Sequence, residues 1–265
     1  MKKAKAKRII AIALVLTIIV STLLLQAFAL PNVLYADFEA IDIAKNQSAS
    51  EILSALGIKD VFIENLSSDI TEKIPLAIKA YKINKTETDP SLSKNVWVLE
   101  LSEGEYIILG TFEYSKMPVW RGTDVFTVSA EGLVFSNSQF SVTAIYNATV
   151  KSGGKTETVQ KSEKSDSKLG GNHCIVGTYN LPNGIGSKCS DLKFLVVADA
   201  AVGHPDSPCS IMVNMHYSHQ NFGAGFNGNC VDANAETNPV SPQIFYKTHT
   251  VRSQNFIEYK PQDYS

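Results

Sequence analysis

No acidic residue precedes Asp37 and no cysteine precedes Cys174 in this chain of 265 residues. Five of the 24 basic side chains fall in the first eight positions, which leaves 19 against all 26 acidic ones, a net charge of −7 over the remainder. A chain of that sign lacks the electrostatic footprint for nucleic acid or for an anionic lipid surface. There is no Cys-x-x-Cys pair, which argues against a zinc ribbon. There is no Gly-x-Ser-x-Gly elbow, the signature of one large class of serine hydrolases, and no internal repeat. Gly153-Gly154-Lys155-Thr156 ends like a phosphate-binding loop, but the position that needs the first glycine is Thr149, so a hairpin turn is the better reading. Carboxylates show no telling pair: Glu100, Glu103 and Glu105 surround a single turn. What remains is a chain with 44% hydrophobic and 19% charged residues, enough to bury a core and too little charge for global disorder.

The basic start is followed by an apolar run from Ile9 to Leu25 and by Ala27-Phe28-Ala29, a small-x-small pattern. Basic, apolar and small-residue regions in that order describe an export segment over 1–29. Two fates are open: cleavage as a signal peptide, or retention as an anchor, since the run is just long enough to span a bilayer with its basic flank inside. Either fate places the bulk of the chain outside the cytoplasm, with contact to the membrane only through this segment. The four cysteines, Cys174, Cys189, Cys209 and Cys230, fit that compartment. An even number in an oxidising environment reads as two disulfides. Short loops close most easily, so Cys174–Cys189 and Cys209–Cys230 are the expected pairs.

Ser48 and Glu51 have the spacing of a capping box; Ile52, Leu53 and Leu56 form one apolar face, and Gly57 suits a helix end, which predicts a helix over 49–56. Thereafter the pattern is strand-like: Val61 to Leu66, Ile74 to Ile83, a hairpin from Trp97 through a Gly104 turn to Phe112, Val125 to Val128, Leu133 to Phe135, and a second hairpin about Gly153-Gly154. Residues 160–171 exchange apolar residues for charge, serine and glycine and read as a polar linker. Beyond it, 172–265 holds every cysteine and all five histidines, with strands about Phe194 to Ala198, Ile211 to Tyr217 and Ile244 to Val251. The expected fold class is α+β to mostly β. An N-terminal antiparallel sheet with one packed helix occupies 37–159, and a small disulfide-stapled β-rich domain occupies 172–265.

Three functions follow from these features. The first is an exported cell-surface binding protein with no catalytic machinery or cofactor. Its partner would be an extracellular protein or glycan, met by Phe222, Phe226 and Tyr217 beside a Gly/Asn loop. The second is a secreted precursor, cut at Gly170-Gly171 to free a toxin, antimicrobial or signal. The third is a His-dependent metal protein or hydrolase using His204, His216 and His219. Strand geometry weakens the last: positions three apart face opposite ways, so His216 joins Met212 and Asn214 while His219 joins Met215 and Tyr217.

Overall fold

The structure, a computed structural model, describes residues 32–83, 91–118, 122–135, 140–152, 155–165, 167–169, 173–180, 189–220, 227–228, 240–241, 246–253 and 256–261. The export segment 1–29, Gly170-Gly171, Phe222, Phe226 and Cys230 lie outside the described residues. Among the described residues no helix is long and apolar enough to cross a membrane.

The fold is mostly β, in three layers. The central sheet runs in the order β2 (Phe38–Asp42), β3 (Lys79–Ile83), β4 (Leu92–Glu100), β5 (Glu105–Tyr114), β12 (Cys189–Val202), β8 (Ser141–Ser152) and β9 (Lys155–Lys164), with β7 (Leu133–Phe135) also on β12. The outer sheet runs β1 (Asn32–Ala36), β16 (Tyr246–Ser253), β13 (Cys209–Gln220), β6 (Thr123–Glu131), β11 (Cys174–Asn180) and β10 (Ser167–Leu169), with β17 (Ile257–Tyr259) against the start of β13. All pairings in both sheets are antiparallel except β1 with β16. A short ladder joins β14 (Asn227–Gly228) to β15 (Val240–Ser241).

Alternation explains the layering. Val96, Val98, Ile108, Phe112, Phe194 and Val196 of the central sheet meet Phe126, Val128, Val213, Met215 and Tyr217 of the outer sheet in one buried core. The intervening residues Trp97, Leu99, Ile107, Leu109, Leu195 and Val197 point the other way, into a second core closed by Ile52, Leu53, Phe62, Ile70 and Ile74 of the helical layer. A sheet covered on both faces reads as continuous apolar runs, which is why Tyr106 to Leu109 and Leu195 to Ala198 show no polar break. Gly110 leaves room for a side chain of the facing sheet: a Cβ there would collide with Met215 Sδ.

The helical layer holds α1 (Ala49–Ala55), α2 (Asp60–Ile63) and α3 (Ser68–Lys73). The expected capping box is formed: Glu51 N–H donates to Ser48 Oγ at 3.3 Å and Ser48 N–H to Glu51 Oε2 at 2.8 Å. Gly57 follows the Leu56 C-cap at φ +79°, a left-handed position that glycine adopts without strain. The strand expected from Val61 to Leu66 is instead α2 and its exit, because Phe62 packs down onto the central sheet.

The two-domain division does not hold. Most of the expected linker 160–171 is strand: β9 pairs with β8 from Lys155 to Lys164, and β10 pairs with β11. Strands from beyond it lie inside both sheets, β12 between β5 and β8 and β11 and β13 on either side of β6. Residues 37–159 and 172–265 therefore share both cores and cannot be two separate domains. The expected disulfides also need correction. Cys189 and Cys209 carry free thiols, whereas Cys174 is disulfide-bonded. Proximity in sequence misled, because Cys174 opens a strand of the outer sheet and Cys189 opens one of the central sheet.

Candidate functional site

Ionisable groups gather between the sheets at one end of the sandwich. Tyr217 O–H donates to Asp124 Oδ2 at 2.7 Å and His219 Nδ1–H donates to Asp124 Oδ1 at 2.8 Å. The Tyr114 and Tyr217 hydroxyls are 2.7 Å apart. Since the one proton of Tyr217 goes to Asp124, Tyr114 is the donor of that bond. The chain Tyr114 to Tyr217 to Asp124, with His219 on the second carboxylate oxygen, joins β5 of one sheet to β6 and β13 of the other. Lys94 Nζ lies 3.4 Å from His249 Nδ1 beside it, and the His249 ring stacks on Tyr217 with centroids 6.2 Å apart. Asp124, Lys94 and Tyr217 have no exposed surface. Phe112, Phe126 and Phe194 close round Tyr217, and burial, reinforced by Asp124, pushes its hydroxyl well above the ordinary phenol range.

This arrangement is a polar pin through an apolar core. The Asp124 carboxylate is engaged on both oxygens by donors from neighbouring side chains, and a satisfied buried network fixes geometry. It also corrects one expectation: Tyr217 is fully buried and offers nothing to a surface partner.

The histidines fall as strand alternation requires. His216 lies on the opposite face of β13 from His219, with Nδ1 2.8 Å from Thr250 Oγ1. Burial, and next Arg252, lower its pKa to about 4, so it is neutral at pH 7. His204 is exposed in the turn between β12 and β13. Among the described residues no three His, Cys, Asp or Glu side chains are gathered as a metal site requires. Burial, and then Glu258, push the Cys209 thiol up, the opposite of what an activated thiolate needs.

At the far end of β5 a cavity of about 400 Å³ opens between α3, β7 and the end of β12. Lys73, Glu105 and Asp199 supply its charge, and Val134, Phe135 and Val202 part of its apolar wall. Lys73 Nζ donates to Asp199 Oδ2 at 2.5 Å and lies 3.9 Å from Glu105 Oε2. Burial works against the Lys73 charge, but the hydrogen bond and charge of Asp199, with Glu105 and Asp69, outweigh it and hold the ammonium above its usual value. Local pattern does not reveal this site, because Lys73 and Asp199 are far apart in the chain and come together only through the fold.

No family model matches the chain, and no curated protein does. Among solved structures it is similar to the collagen-binding domain of a Staphylococcus aureus adhesin, at 13% identity and TM-score 0.31 over 62% of this chain and 99% of that one. It is also similar to the collagen-binding subdomain of the Enterococcus faecalis surface protein ACE, at 8% identity and TM-score 0.30 over 64% and 100%. Clostridium perfringens delta-toxin follows at 11% identity and TM-score 0.27 over 68% and 94%. Likenesses of this size fix neither partner nor activity.

Proposed function

We propose that the protein is an exported binding protein, secreted or held at the cell surface by its N-terminal segment, which engages an extracellular protein or glycan through residues 221–245. One observation carries this reading. Gln220 of β13 pairs directly with Tyr246 of β16. A two-residue turn joins strands so paired, yet the chain places residues 221–245 between them, with Phe222 and Phe226 among glycines and asparagines. A long connection on a rigid scaffold is where binding residues concentrate. The connection leaves from the pinned end of the sandwich: β13 carries Tyr217 and His219 of the Asp124 network, and His249 of β16 stacks on Tyr217.

The structure weighs against the precursor reading. Cutting at Gly170-Gly171 and releasing 172–265 would strip β12 from the middle of the central sheet and β11 and β13 from the outer one, exposing both cores. A hairpin that inserts into lipid is also poorly served by β9: Lys155–Lys164 is exposed throughout, and its only apolar residue is Val159.

The test is solid-phase binding of the purified full chain to panels of immobilised matrix proteins and glycans. Saturable binding to a panel member, weakened at least tenfold by Phe222→Ala with Phe226→Ala at an unchanged melting temperature, is the expected result. Equal binding by wild type and the double variant removes the loop as the contact.

A further inference from the structure

The geometry points to a second site, at the opposite end of the sandwich from residues 221–245. We infer that the cavity of Lys73, Glu105 and Asp199 binds a cationic group, a primary ammonium or guanidinium, carried on an apolar stem. Glu105 opens β5 and Tyr114 closes it, so the cavity and the Asp124 pin are about 30 Å apart at the rise of an extended strand. The site therefore goes beyond the function proposed above and does not depend on it.

Charge is the first argument. Three carboxylates, Asp199, Glu105 and Asp69, act on the single ammonium of Lys73. Asp199 is 5% exposed and is taken up by Lys73 at 2.5 Å. Glu105 is only grazed by Lys73 at 3.9 Å, beyond hydrogen-bonding reach, and its side chain is half exposed at 50%. The cavity thus presents a carboxylate with acceptor capacity left over, beside an ion pair that already neutralises the buried acid. An entering anion meets three carboxylates set against one ammonium, so the charge around the cavity disfavours it. An entering cation adds to Glu105 and leaves the ion pair intact.

Shape and lining are the second argument. About 400 Å³ lies within the range of small-ligand sites, and Val134, Phe135 and Val202 offer an apolar wall behind the charges. A bare metal ion would not use that wall, whereas an alkyl stem would. Two sources supply this chemistry, a free organic amine and a lysine or arginine side chain of a protein partner, and the test separates them.

The experiment is an amide NMR titration of the full chain at constant ionic strength with four probes: n-pentylammonium, n-pentanol, n-pentanoate and Nα-acetyl-lysine methylamide. Saturable shifts are expected at residues 105, 133–135 and 199–203 with pentylammonium, and none with pentanol or pentanoate. Glu105→Gln, a change at a half-exposed side chain, weakens the ammonium response at least fivefold, and Asp69→Asn weakens it less. Tighter binding of the lysine derivative than of pentylammonium assigns the site to a protein side chain; weaker binding assigns it to a free amine. The inference is overturned if pentylammonium gives no saturable shift, if pentanol gives the same shifts, or if Glu105→Gln leaves binding unchanged while the variant melts like wild type.

Discussion

Replacing Asp124 by asparagine keeps the shape of the side chain but not its charge. One oxygen still accepts from Tyr217 or His219; the other becomes an NH₂ facing a donor. Hydrogen bonds to a charged acceptor contribute about 1.5–3 kcal/mol each, and breaking a buried charged network costs about 3–5 kcal/mol. Asp124 has no exposed surface and accepts at 2.7 and 2.8 Å, so Asp124→Asn is expected to cost about 3 kcal/mol. In a domain of this size that lowers Tm by roughly 6–12 °C. Tyr217→Phe removes a hydroxyl without opening a cavity and breaks both its bonds, to Asp124 and from Tyr114, at about 2 kcal/mol. If the network acts as a unit, the double variant costs at least about 1 kcal/mol less than the sum of the singles. Urea unfolding followed by tryptophan fluorescence measures all three, since Trp97 is 2% exposed. Single variants within about 0.5 kcal/mol of wild type, or a double variant equal to the sum, would refute the pin.

Other outcomes follow from the same geometry. His216 is neutral and buried with a pKa near 4; its unfolded value is about 6.5, so the unfolded chain binds more protons between those values. Stability is then full above pH 6.5, falls through that window by about 2 kcal/mol between pH 7 and pH 5, and His216→Gln flattens that limb in denaturant titrations. Glu163 accepts from Tyr179 at 2.6 Å and Tyr146 at 2.8 Å, and these bonds hold its carboxyl below the usual value. Its contribution is present above pH 4.5 and lost as the pH falls further, so Glu163→Gln should remove part of the acid-unfolding slope below pH 4.5. Gly110→Ala drives a methyl into Met215 and should cost about 1–3 kcal/mol, with Met215→Ala in the same chain recovering part of it.

Local chemistry was legible in the sequence. Ser48 with Glu51 and Gly57 located α1 to within a residue. Alternation along Ile211 to His219 put His216 and His219 on opposite faces, as they are. The hairpin of β4 and β5 was marked by its apolar runs and Gly104. Long-range pairing was not legible. An exposed edge strand such as Lys155–Lys164 buries nothing, so its lysines, glutamates and serines read as a linker. The insertion of β12 between β5 and β8 leaves no local mark either, and without it the cysteines were paired by sequence distance. The same limit hid the Lys73–Asp199 cavity and the contact of Asp124 with His219.

Whether the chain is one folding unit decides between a binding protein and a releasable precursor. The direct measurement is to place a protease site at Gly170-Gly171, cut the folded protein, and run the product on a sizing column under native conditions; every cysteine lies beyond the cut, so no disulfide can hold the pieces together. The interleaved sandwich requires the two pieces to elute together, at the volume of the uncut chain and with its circular dichroism. Separate elution of a folded 172–265 fragment would contradict it.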